Sequence, residues 1–507
     1  MKKILLLTFP ALLVFSAGCA STYSYRGAME KIHPAYAVGD FKSATDVTTT
    51  QIEGGAASPL VWQLNHAALL QAEGDHARAG ECWDDAIPMF EDLWLNERGL
   101  LAKSALGMLP PGLGDSAYYA RPHEGVMLYT YAFLNAWQRG ETAEAGRLLK
   151  CLITYRDQVF AEAERRVEKR RARGITDDAS LAESTVGDEL SNSKQKDLDK
   201  VSGDSPVVAN SIMGEIEQRR KAELREDLDG YANYANPLAG FLAYLYLKTQ
   251  GTGAHLTDIN DAKREIDELS VFAPRNSVVR FALENNVEVM DDGSLYNTAF
   301  VFFETGRAPR QEEVRFEAPL PGALIASWFP SYAGVAYPEL VSNPDHVPQL
   351  AVQAGRRERV PAELLVDFDA LVQQSFDDEW PAILARQIAQ AVLAVTVNAA
   401  LNYAGNKAAE NIENDWVRIG TQVAAWGATA LLGHMMVGAD ERSWELLPKQ
   451  VHVARVDIPE DRKITLLFPR GTWRQDVTLG AGDVMAVWVK STSPWQLAPV
   501  ATQFRLK

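Results

Sequence analysis

Cysteine is scarce. The 507 residues hold three, Cys19, Cys82 and Cys151, and no Cys-x-x-Cys spacing. A fold built on disulfides or on a thiolate metal cluster is excluded by that count. Positive charge is also short. Lys and Arg number 50 against 67 Asp and Glu, for a net charge of −17. Binding to a phosphate backbone runs on Lys and Arg, so no nucleic-acid partner is expected. The chain has no H-E-x-x-H, G-x-S-x-G or G-x-x-x-x-G-K-[ST]. Its 8 His are scattered without ligand spacing, so neither a metal nor another cofactor is expected. Gly114-Asp115-Ser116 and Gly203-Asp204-Ser205 resemble an esterase nucleophile block. Both lack the apolar strand such a block must follow, and both are read as chance.

What is present begins at the first residue. Lys2 and Lys3 precede an apolar run from Ile4 to Phe15, and Ser16-Ala17-Gly18-Cys19 follows. That order is a lipoprotein signal (1–18), with Cys19 as the lipidated first residue of the mature chain. The run is shorter than the roughly 20 residues a spanning helix needs. With Ala20 and Ser21 after the cysteine, and no Asp, the expected address is the outer membrane, facing the periplasm. An acidic chain is repelled by anionic head groups, so the lipid on Cys19 supplies the membrane attachment. Cys82 and Cys151 are read as two separate thiols on helices, with a disulfide as the alternative.

Hydrophobic residues make up 47% of the chain, enough for sizeable cores. Residues 19–58 read as a polar tether with one short helix around Phe41. Residues 59–290 read as helical. Pro59 opens a 3.6-residue pattern through Leu60, Leu64, Ala67 and Leu70, and Gly74-Asp75 breaks it. Ala79, Trp83, Ala86 and Phe90 continue on a second helix. A turn glycine, a small residue at a close helix crossing and large and small apolar groups one turn apart are the frame of a tetratricopeptide-type repeat. The frame recurs at Gly140, Ala145, Leu149 and Leu152, and again at Ala262, Ile266 and Leu269 before Pro274. A charged insertion (161–228) interrupts the array, and its Arg-Lys run is read as a solvated helix face.

From Asp291-Asp292-Gly293 the pattern becomes strand-like. Residues 291–375 read as a β-rich domain of about five strands, including Ala299–Phe303 and Ala323–Phe329. An Ala-rich helix pair (376–440) follows. Residues 441–507 read as an antiparallel β region that could form one domain with 291–375. The expected fold class is α+β and multidomain: a tetratricopeptide-like helical array, then a sandwich-like β half with an inserted helix pair.

Phe302–Arg310, Pro381–Ile388 and Ala439–Pro448 carry a resemblance. In them the chain resembles a family of uncharacterised bacterial lipoproteins with a tetratricopeptide-like N-terminal half. The resemblance covers most of the mature chain. It implies a lipid anchor, helical repeats and a β-rich half, and it implies no catalytic residues. Some members of that family accompany lipoprotein activators of penicillin-binding proteins. Within these motifs Glu304 and Arg307 are expected to form a loop salt bridge. Arg442 and Trp444 are expected at a helix-to-β junction, Trp444 as a packing anchor, although an exposed hot spot would read the same way.

Two functions fit. The first is a membrane-anchored interaction scaffold with an envelope protein as partner, docking in a groove of the helical array. The second is an envelope glycan-acting enzyme or glycan-binding protein using carboxylates such as Glu304, Asp367 or Asp369.

Overall fold

Tyr25, Ala28, Met29, Ile32 and Tyr36 recur at helical spacing and form the buried stripe of the first helix, α1 (25–38). A second helix, α2 (Phe41–Glu53), buries Phe41 and Ala44. The segment expected as a tether is therefore folded from Tyr25 onward. Its apolar stripe is diluted by Thr and Ser but keeps the helical period. The computed structural model describes residues 25–56, 58–100, 118, 120–172, 236–250, 256–284, 295–319, 332–356, 359–380, 383, 387, 438–469 and 473–507. Cys19, both Gly-Asp-Ser blocks, the strand expected at 323–329 and almost all of the expected helix pair lie outside them.

Six further helices form three hairpins: α3 (Pro59–Glu73) with α4 (His76–Leu100), α5 (Pro122–Gln138) with α6 (Thr142–Ala172), and α7 (Pro237–Gln250) with α8 (Leu256–Phe272). The charged stretch after Glu162 continues α6 as one helix. The first two hairpins turn alike. Gly74 and Gly140 take left-handed φ of 91° and 77°, and the next N–H returns to the carbonyl of Leu70 or Ala136 at 2.9 Å. The first helix of each hairpin is buried nearly all round, whereas α4 is buried on one face only. A helix apolar on every side needs cover on both sides. A short helix, α9 (Ser277–Glu284), closes the layer.

That cover is a five-stranded sheet in the order β11-β10-β1-β7-β6. Its strands are β1 (Thr298–Thr305), β6 (Glu363–Asp367), β7 (Gln450–Asp457), β10 (Val484–Ser491) and β11 (Val500–Arg505). β1 runs parallel to β10 and antiparallel to β7. Phe300, Phe302, Val453, Ala486 and Trp488 face the helices and join their core. Phe241 of α7 meets Phe300 and Phe302 at 5.9 and 6.0 Å. Each such buried ring contributes on the order of 2 kcal/mol. The alternate residues, Ala299, Val301, Phe303, Ala454 and Val487, face a four-stranded sheet. That sheet has the order β5-β4-β8-β9 and consists of β4 (Ala351–Ala354), β5 (Arg359–Pro361), β8 (Lys463–Leu467) and β9 (Arg474–Thr478). A separate hairpin joins β2 (Arg310–Pro319) to β3 (Tyr332–Val341), and a helix, α10 (368–380), follows β6.

The fold is mixed, with helices mostly in the N-terminal half and sheets in the C-terminal half. The strands of 441–507 divide between the two sheets: β7 and β10 flank β1, and β8 and β9 belong to the second sheet. Strands from both β regions share one sheet, as the reading of 441–507 together with 291–375 allowed, with β10 parallel to β1. The helices and one sheet face share one continuous core. Among the described residues no helix is long and apolar enough to cross a membrane.

Candidate functional site

Two of the sequence motifs meet at the end of β1. After Thr305 the chain turns at Gly306, whose φ is 68°. The irregular segment 439–449 runs beside it. Backbone bonds join the two: Ala308 N–H to the Leu447 carbonyl at 2.8 Å, and Lys449 N–H to the Thr305 carbonyl at 3.0 Å. Both motifs are largely buried between the helical layer and the sheet, and most of their charged side chains meet an opposite charge there.

Glu304 and Lys490 are cross-strand partners in the parallel β1/β10 pair and point toward the helices. Their ion pair is 3.0 Å long, with side chains only 2% and 8% exposed. Tyr131 of α5 donates to Glu304 Oε1 at 2.7 Å. Burial alone would depress the Lys490 ammonium, but Glu304 beside it prevails and holds its pKa above the ordinary value. Burial, then Glu304, pushes the Tyr131 phenol up. The cluster borders a small cavity of about 20 Å³, room for about one water.

Glu445 lies one step further along. It accepts from Tyr25 at 3.1 Å, and its other oxygen sits 2.8 Å from His33 Nε2 and 3.7 Å from Arg307. Burial lowers the pKa of His33. Glu124, at the start of α5, accepts the Trp444 N–H at 2.8 Å and the Tyr118 hydroxyl at 2.6 Å. Arg442 pairs with Asp440 at 2.7 Å and bonds the Ser58 hydroxyl, which caps no helix with its side chain. Trp444 is 2% exposed and packs against the stacked pair Trp83 and Tyr131, at 5.6 and 5.8 Å. Lys449 bonds Asp369 and Ser342.

Glu304, Arg307, Arg442 and Trp444 thus lie in one seam, but not in the expected pairing. Glu304 pairs with Lys490 and Arg307 with Glu445, because Gly306 swings Arg307 away from the helix-facing row that Glu304 ends. The other candidate carboxylates are also committed. Asp369 pairs with Lys449, although burial pushes its pKa up. Asp367 accepts from Gln450 at 2.9 Å. His66 and His76 form no pair: His66 Nδ1 bonds the Thr48 hydroxyl at 2.8 Å. Cys82 and Cys151 are free thiols, and burial pushes Cys82 up to about 11. No group of three or more potential metal ligands occurs among the described residues.

Sequence reasoning missed Lys490, Glu124 and Glu445. Lys490 had a signal: it is the lone charge closing the apolar strand Val484–Val489. Glu124 had another, the third position of a helix opened by Pro122, where it caps Arg121 N–H at 2.7 Å.

The open concavity lies elsewhere. A groove of about 580 Å³ runs between the α8–α9 turn and the crossing from β5 to β6. Pro348, Pro361, Pro469 and Leu364 form apolar walls, and Arg275 and Glu363 supply opposite charges. Its size is in the range of ligand and peptide sites. Its back wall includes His452, whose pKa burial lowers to about 4. Glu304, Asp367 and Asp369 do not line it. Comparison with protein-family models, curated proteins and solved structures finds no match to this chain.

Proposed function

We propose that the protein is an envelope lipoprotein, anchored through Cys19 at the outer membrane and facing the periplasm, that serves as a protein–protein interaction scaffold. Its membership of the lipoprotein family resembled by its motifs is part of this proposal. The three helix hairpins, the first two turning at Gly74 and Gly140, and their small–large apolar spacing support a tetratricopeptide-like reading of the helical layer. The groove of that layer is not the docking surface, since the chain's own sheet fills it. The partner surface is the open groove along Pro348, Pro361 and Leu364.

One observation carries this reading. The carboxylates of the buried seam are taken up by ion pairs and hydrogen bonds, while the wide groove has apolar and proline walls. Apolar walls with a few polar groups suit binding of a protein segment. The alternative of a glycan-acting enzyme or glycan-binding protein using Glu304, Asp367 or Asp369 loses support, because Glu304 and Asp369 are bonded to lysines and none of the three lines the groove.

The test is photocrosslinking in intact cells from position 364 in the groove, with position 283 as an exposed control and a Cys19→Ser form as the unanchored control. One dominant envelope protein captured from 364 by the anchored form alone is the expected result. Equal capture from 283, or none from 364, refutes the groove as a protein-docking site.

A further inference from the structure

The loop between β10 and β11 is built inside out. Its polar side chains face inward. Ser493 and Thr492 donate to the Ala37 carbonyl at the end of α1, at 2.6 and 3.3 Å. Gln496 accepts the Thr492 N–H at 2.8 Å and lies against Gly39, where a Cβ would meet its Cγ at 3.0 Å. The apolar side chains face out: Trp495 is 66% exposed and Leu497 90%, with Val38 of α1 at 50% nearby in the chain's fold. A loop that spends its hydrogen bonds on holding its apolar residues in water has something to cover them. From Ser491 to Val500 it carries no charged residue, in a chain of net charge −17. It is therefore a surface that this acidic protein can lay on a bilayer without repulsion.

We propose that Trp495, Leu497 and Val38 form a second, non-covalent contact with the lipid bilayer that holds the anchored protein in one orientation. The proposal rests on the lipid-anchor reading of Cys19. Five residues lie between Cys19 and Tyr25, a leash of at most about 22 Å over six residue steps. Tyr25 is already buried in the folded body. From there α1 (25–38) covers about 20 Å to Val38. The anchor thus keeps the patch within reach of the membrane, and α1 lying along the surface brings both ends to it. Tryptophan suits the head-group level, where an apolar ring with one polar edge is at home.

The test uses the full lipidated chain in phosphatidylcholine vesicles whose acyl chains carry a nitroxide quencher. A fluorophore is placed at Leu497→Cys in a Cys82→Ser, Cys151→Ser background, and at Val271→Cys as control. Val271 is 71% exposed on α8, a helix whose partner α7 packs on β6, at the far edge of the sheet from β11. Vesicle flotation scores anchoring independently, with Cys19→Ser as reference. The expected result is flotation with the label at 497 strongly quenched and the label at 271 bright. Flotation without quenching at 497 overturns the contact and leaves the anchor standing, as does a label at 497 that is shielded from water but not quenched, which would place a protein over the loop. Failure of the parent chain to float overturns the anchor reading, and the contact with it.

Discussion

Replacing Lys490 with Met tests the buried seam directly. The substitution removes the ammonium 3.0 Å from Glu304 and leaves a carboxylate that is 2% exposed. At that distance an effective dielectric constant of 20 gives an attraction of about 5 kcal/mol. Desolvation of each ion costs several kcal/mol, so the intact pair sits near balance. Lys490→Met relieves the lysine's share of that cost but not the glutamate's. The remaining bond from Tyr131 is a single neutral donor and cannot replace a charge. The expected loss is about 3–5 kcal/mol, the range for breaking a buried pair on one side. The double variant Glu304→Gln, Lys490→Met keeps an acceptor for Tyr131 and buries no charge, so it recovers most of that loss. Urea unfolding of parent, single and double variants, followed by far-ultraviolet circular dichroism, reads both quantities. A single-variant cost below about 1 kcal/mol, the value of an exposed pair, would refute the reasoning. So would a double variant no more stable than the singles.

Acid is the second lever. Burial lowers His66, His123 and His452 to about 4, against about 6.5 in an unfolded chain. Between those values the unfolded state binds more protons, so stability is complete above pH 6.5 and falls by up to about 3 kcal/mol per histidine as pH drops toward 4. Asp369 and Glu441, raised by burial, oppose this at the acid end. Urea midpoints between pH 7.5 and 4.5 check it: a flat profile contradicts the burial of the three rings. Gly306→Ala should cost about 2–4 kcal/mol, combining a left-handed backbone with overpacking, because a Cβ there would lie 2.7 Å from the Cβ of His346. Thermal unfolding within 1 °C of the parent would show that the turn relaxes freely.

Much of the fold was readable because its elements obey simple periods. Pro59, Gly74, Ala79 and Trp83 mark two helices and their turn where the structure has them. The all-round apolar character of α5 and α7 was also visible, in Val126–Ala136 and Leu238–Leu245, and it states that both sides are covered. What covers them could not be read. The sheet is assembled from strands far apart in the chain, as with Glu304 of β1 and Lys490 of β10, 186 residues apart, and strand pairing at that separation leaves no local signal. The candidate site divides the same way. The motifs around Glu304 and Trp444 were found, but their partners were not. The pairing of Glu304 with Lys490 instead of Arg307 depends on the left-handed turn at Gly306 and on a strand from the far end of the chain.

The seam also answers a question that the sheet poses by itself. β1 and β10 are apolar on both faces, Ala299–Phe303 against Val484–Val489, and strands of that kind carry little information about which face meets the helices. A slip of one residue would exchange Phe302 for Val301, or Trp488 for Val489, at a modest cost in packing. It would also turn Glu304 or Lys490 toward the second sheet, into Val352, Ile464 and Leu466, where a charge has no partner. The penalty for that is several kcal/mol per ion. The intact pair, near balance by itself, therefore contributes little to net stability and much to the choice of register. The same logic covers Glu445 with Arg307 and Asp369 with Lys449, each joining segments from different parts of the chain. The charged residues of the two motifs set how the helical layer, the sheet and the 439–449 segment fit together.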